Sequence, residues 1–252
     1  MTGSSRTPRG FRRLKVRPTG RHRRPSSARW LERQLNDPYV AAAEDAGLRS
    51  RAAFKLVELD DRFHLLGRGR RVVDLGAAPG GWTQVAAARV KALEPAGGKV
   101  VAVDVVPMEP VPGATILNHD ILAEDAPLAV LEVLEGPADL VLSDMAPPAI
   151  GHRAIDHLRI IALAEAAFAL AERTLKPGGA FVTKILMGRD EAAFVALLRR
   201  RFATVRYAKP AASRKDSAES YVVATGFRGP RAAAGKESER AGDRAWRGTD
   251  FV

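Results

Sequence analysis

Gly76-Ala77-Ala78-Pro79-Gly80-Gly81-Trp82 follows an apolar run (Val72, Val73, Asp74, Leu75) and precedes a helix-like stretch from Thr83 to Leu93. A glycine-rich turn from strand into helix lets backbone approach a ligand and aims the first N–H groups of the helix at it. The spacing is not the dinucleotide pattern G-x-G-x-x-G, because Ala78 stands where the second glycine belongs. That disfavours a nicotinamide oxidoreductase. A phosphate-binding G-x-x-x-x-G-K-[ST] loop is absent from the chain.

Outward from this turn, strand-like runs rich in Val and Ile fall at 71–75, 99–105, 114–118, 138–143, 179–186, 203–208 and 220–226. Helix-like segments lie between them at 82–93, 121–134, 155–175 and 190–201, and Ser50 is expected to cap a further helix over 51–64. In 155–175 the apolar residues Ile160, Leu163, Ala167 and Leu170 recur at one-face spacing. Lys176-Pro177-Gly178-Gly179 should stop that helix. Strands alternating with crossover helices predict an α/β fold: a doubly wound, mostly parallel sheet with helices on both faces. The last two runs are joined by too short a link for a crossover helix, so they should pair antiparallel at one edge.

In such a sheet ligands sit beyond the C-terminal ends of the strands. Asp74 and the glycine turn end the first strand, and Asp104 ends the second, placed to accept from ribose hydroxyls. Asp120, after the third, either accepts from an adenine amino group or caps a helix starting at Ile121. Asp144 follows the fourth strand, and Lys184 interrupts the apolar fifth. A buried lysine is costly, so it is paired or used. If strands 1, 4 and 5 are neighbours, Asp144 and Lys184 meet near the glycine turn. Taken alone, Lys55 reads as a surface helix lysine and Glu219 as an edge-strand acid.

The 252 residues carry a net charge of +11 and no cysteine, which removes disulfides, thiolate metal sites and covalent cysteine adducts together. No metal site is expected. No run approaches the ~20 apolar residues of a membrane span, and no signal-like segment opens the chain, so a soluble protein is expected. Residues 1–33 hold eleven Lys or Arg against one acid, Glu32, a composition suited to a phosphate-rich partner such as RNA. The organisation expected is a disordered basic arm over 1–28, one domain over 29–228 and a disordered tail over 229–252.

Several motifs, in order, resemble the FtsJ/RrmJ ribose 2′-O-methyltransferases. They are Ala28-Arg29-Trp30-Leu31, Asp37-Pro38-Tyr39-Val40, Arg49-Ser50-Arg51-Ala52-Ala53-Phe54-Lys55-Leu56, the glycine turn itself, Asp144-Met145-Ala146-Pro147, Ser213-Arg214 and Glu219-Ser220-Tyr221-Val222-Val223-Ala224-Thr225-Gly226. Pro148 departs from the asparagine often found there. The resemblance implies a Rossmann-like class I fold with seven strands, and S-adenosylmethionine as methyl donor. It implies donor contacts at Asp74, Gly76, Pro79, Gly80, Trp82, Asp104, Asp120 and Asp144, and a catalytic set of Lys55, Asp144, Lys184 and Glu219. Lys184 would be the base, since burial beside a second cation favours an uncharged amine. Lys55 would tune it, Asp144 would orient it, and Glu219 would hold Lys55 or the target hydroxyl. The implied substrate is a uridine in the A-loop of 23S rRNA within the 50S subunit, acted on by a cytoplasmic monomer. RNA contacts are expected from the arm, Arg29, Arg33, Arg49 and Arg51, with Trp30 and Tyr39 as stacking surfaces. A base-directed N-methyltransferase would need an aromatic after Pro148, and a non-catalytic RNA-binding protein need not keep the catalytic set.

Overall fold

The computed structural model describes residues 35–229 apart from 149, 189, 190, 215 and 216, so the expected basic arm, with Arg29, Trp30 and Arg33, and nearly all of the expected tail lie outside the described residues. Among the described residues the elements follow in the order α1 Pro38–Asp45, α2 Ala53–Phe63, β1 Arg71–Leu75, α3 Gly81–Arg89, β2 Lys99–Asp104, β3 Ala114–Asn118, α4 Ala126–Leu134, β4 Ala138–Ser143, α5 Arg153–Thr174, β5 Leu175–Leu186, α6 Glu191–Arg201, β6 Phe202–Ala208 and β7 Glu219–Phe227. The sheet order is β3-β2-β1-β4-β5-β7-β6. Only β7 runs against the others, pairing antiparallel with both β5 and β6. The winding reverses between β1 and β4, which opens a crevice beyond their C-terminal ends.

Side chains alternate across the sheet, and each face has its own core. Val73, Val101, Val141 and Phe181 pack against α4, α5 and α6. Val72, Val100, Leu142 and Val182 pack against α2 and α3. Counting on by two places Asp74, Asp104, Asp144 and Lys184 on the α2–α3 side at the strand ends.

Four boundaries differ from expectation. Ser50 does not cap a helix by its side chain; α2 starts at Ala53 after a turn, and Ser50 lies against Gly81, where a Cβ would fall 2.3 Å from the serine hydroxyl. The segment expected as helix from Ile121 begins only at Ala126, because Pro127 suits a first helical turn, and Asp120 closes a local turn by accepting from the Leu122 N–H at 2.9 Å. α3 stops at Arg89, with Lys91 following at a φ of 61°. Lys176-Pro177-Gly178-Gly179 does end α5, but the strand already starts at Leu175: Ala138 pairs with Leu175 and Leu140 with Ala180, so the intervening residues form an irregularity. An unanticipated helix, α1, is capped by Asp37, which accepts from the Tyr39 N–H at 3.1 Å. Among the described residues no helix is long and apolar enough to cross a membrane.

Candidate active site

Asp144 is the hub of the crevice. Lys184 Nζ lies 3.0 Å from its Oδ1 and donates to its backbone carbonyl at 2.6 Å, anchoring β5 to the end of β4. Lys55 Nζ, from α2, lies 3.7 Å from Asp144 Oδ2 and 2.8 Å from Glu219 Oε1. Glu219 also accepts from the Ser213 hydroxyl at 2.9 Å. The structure therefore brings together Lys55, Asp144, Lys184 and Glu219 from four elements, although Lys55 and Glu219 look ordinary in the sequence. Lys184 is 7% exposed, a buried amine with acceptors on one side.

Tyr221 belongs to the same cluster and had no role in the sequence reading. It sits directly opposite Lys184 across the β5–β7 ladder and donates to Asp144 Oδ1 at 2.6 Å. Burial, reinforced by Asp144 and Glu219, raises its pKa well above 10, so the hydroxyl keeps its proton. Lys55 Nζ lies 5.7 Å from its ring centroid. The available signal was that Tyr221 falls two residues beyond Glu219, on the same face of the strand, but a buried strand tyrosine reads first as core.

The glycine turn sits beside this cluster. Gly76 has a φ of 69°, and Gly80, the N-cap of α3, supplies no side-chain cap, so the first N–H groups of that helix have no capping side chain. Asp104 accepts from the Ala78 N–H at 2.9 Å and the Val106 N–H at 2.8 Å, tying the turn to the loop after β2. Two residues expected as donor contacts, Asp74 and Trp82, are buried beside the turn. Asp74 is 1% exposed and accepts from the Thr83 hydroxyl at 2.7 Å, which fixes β1 to α3 beneath the turn. Burial first, then the neighbouring Asp144 and Asp104, raises its pKa from 3.8 to about 7 against the opposing Thr83 hydrogen bond. Trp82 is 3% exposed, donates to the Ala52 carbonyl at 2.8 Å and packs tilted against Tyr221 with ring centroids 5.7 Å apart.

Arg49 and Arg51, expected as RNA contacts, have partners within the domain. Arg51 is bound by Asp37 and by the Ala212 carbonyl, and Arg49 by three backbone carbonyls. Tyr39 packs on Phe54 with centroids 5.5 Å apart and donates to Glu58 at 3.3 Å. Next to the cluster a cavity of about 210 Å³ is lined by Arg51, Ala52, Lys55, Ala212, Arg214, Ser217 and Glu219.

An uncapped helix start suits a carboxylate, and acids at the ends of β2 and β4 and after β3 suit hydroxyls, an amino group and a cationic centre. The fold and this donor set define a class I methyltransferase whose methyl donor is S-adenosylmethionine. The chain belongs to the FtsJ-like methyltransferases: that family's model matches residues 48–227. It is 58% identical over 222 residues to the ribosomal RNA large subunit methyltransferase E of Paramagnetospirillum magneticum, covering 87% of this chain and 91% of that one. It is 56% identical over 223 residues to the protein of the same name from Rhodospirillum rubrum, covering 88% and 85%. A crystal structure from Plasmodium falciparum, described provisionally as a ribosomal RNA methyltransferase, superposes with a TM-score of 0.65 at 30% identity, covering 72% of this chain and 99% of that one.

Proposed function

We propose that this enzyme methylates large-subunit ribosomal RNA at a ribose 2′-hydroxyl, on a uridine of the 23S A-loop within the 50S subunit, as a cytoplasmic monomer. The observation that carries the ribose assignment is the Lys55–Asp144–Lys184–Glu219 cluster beside the glycine turn: a hydroxyl nucleophile must lose a proton, and an amine is at hand to take it. The names of the relatives support the RNA class.

The chain's own groups divide the work. Asp74, Gly76, Pro79, Gly80 and Trp82 with the start of α3, and Asp104, Asp120 and Asp144, would hold S-adenosylmethionine, Asp74 and Trp82 also bracing the turn through Thr83 and the Ala52 carbonyl. When bound, the donor supplies an electrophilic methyl carbon on a sulfonium leaving group. Lys184 accepts the proton of the 2′-hydroxyl through its lone pair. Asp144 orients Lys184 and is itself held by the Tyr221 hydroxyl. Glu219 fixes Lys55, whose charge lies beside the same carboxylate. Alignment of the attacking oxygen supplies the rest of the acceleration.

The test is to supply purified protein with labelled donor and either 50S subunits lacking the modification or free 23S rRNA, then digest to nucleosides. The reading expects 2′-O-methyluridine, formed on the subunit in preference to free RNA. A methylated base overturns the ribose assignment, and preference for free RNA overturns the particle.

A further inference from the structure

Arg49 lies in the linker between α1 and α2, and its guanidinium spans two loops. One nitrogen donates to the Pro79 carbonyl at 3.1 Å and the Glu109 carbonyl at 2.6 Å, and the other donates to the Pro110 carbonyl at 2.6 Å. Pro79 is in the glycine turn; Glu109 and Pro110 are in the loop between β2 and β3. The backbone of Arg49 is pinned in turn, its N–H donating to Gln84 Oε1 at 2.8 Å, while Gln84 Nε2 donates to the Gly47 carbonyl at 3.1 Å. The same two loops are tied a second time by Asp104, through the Ala78 and Val106 N–H groups. Between the two ties lies a cavity of about 660 Å³ lined by Arg49, Ala78, Pro79, Val106, Pro107, Met108 and Glu109.

We infer that Arg49 is a positioning residue for the methyl donor, a bracket that sets the distance between the two loops flanking the donor site. A planar guanidinium offers five donors in a fixed fork and can span carbonyls on separate loops, which a lysine ammonium on a flexible stem cannot. Without the bracket, the loop after β2 is held to the turn through Asp104, the group that is also needed for the donor's ribose. Donor binding must then order the loop, and affinity falls accordingly.

The inference rests on the donor half of the proposed function alone, so it is tested without RNA. S-adenosylhomocysteine binding to the full-length chain is measured by calorimetry for wild type, Arg49→Ala, Arg49→Lys and, as a control for a lost surface arginine, Arg68→Ala. Arg49→Ala should weaken binding about 10- to 100-fold, the range of one charge-assisted hydrogen bond. Arg49→Lys should fall between it and wild type, and Arg68→Ala should match wild type. Amide hydrogen exchange over 105–113 should quicken in both Arg49 variants, and methyl transfer at saturating donor should stay within about threefold, a KM effect rather than a kcat effect. If Arg49→Ala fails to fold, Arg49→Lys carries the same comparison. Affinity within twofold of wild type in the folded variants, or a kcat lost in parallel with affinity, overturns the inference. A failure to methylate RNA would leave the binding result standing.

Discussion

Asp74 shows how one buried carboxyl ties stability to pH. Its folded-state pKa is raised from 3.8 to about 7 by burial, so between roughly pH 4 and 7 the native protein keeps a proton that the unfolded chain has lost. The native state binds more protons there, and unfolding free energy falls as pH rises through that window. Below it the group contributes nothing, and above about pH 7 the whole cost, a few kcal/mol, is in place. Asp74→Asn removes the titration and keeps an acceptor for Thr83. Thermal melts from pH 5 to 8.5 should show a flatter profile for the variant, with its relative stability greatest at the alkaline end. Parallel profiles would mean that Asp74 is ionised throughout. Asp74 was legible as a strand-end acid, but its place beneath the turn was not, because the partner Thr83 is visible only once α3 packs on β1.

At the level of elements, β1, the turn and α3 act as one unit, and Gly76 is its tightest point. A Cβ there would fall 2.2 Å from Met145 Cγ, on a backbone whose φ of 69° already disfavours side chains. Met145 adjoins Asp144, so Gly76→Ala should push on that carboxylate as well as strain the turn. The expected outcome is a loss of about 1–3 kcal/mol in stability together with weakened donor binding, read by chemical denaturation and calorimetry. Unchanged values in both would contradict the packing described. The seven strands were legible because Val and Ile runs between crossover helices leave few alternatives. Helix starts were less so: Ser50 looks like a cap, yet its hydroxyl is used against Gly81. Lys184 stood out as a charge in a greasy strand. Lys55, Glu219 and Tyr221 did not, because their meeting depends on α2 lying against the start of β7, a contact between segments far apart in sequence.

For the whole molecule, charge is the organising quantity. The net charge of +11 is concentrated in residues 1–33, whereas Arg49 and Arg51 in the domain are committed to internal partners. Under the proposed function, RNA affinity should therefore depend on the arm more than on these two arginines. Deleting residues 1–28 should weaken binding to ribosomal RNA and flatten the slope of log affinity against log salt, because fewer counterions are released. An unchanged slope would show that phosphate contacts lie on the domain.

Lys184 is the proposed proton acceptor, and Lys184→Ala tests that role most directly, assayed for methyl transfer to ribose and for S-adenosylhomocysteine affinity on the same preparation. Transfer should fall by a factor of about 10² to 10⁴, the usual worth of a positioned base, with affinity held within a few fold. Transfer near the wild-type rate in a folded variant would contradict it.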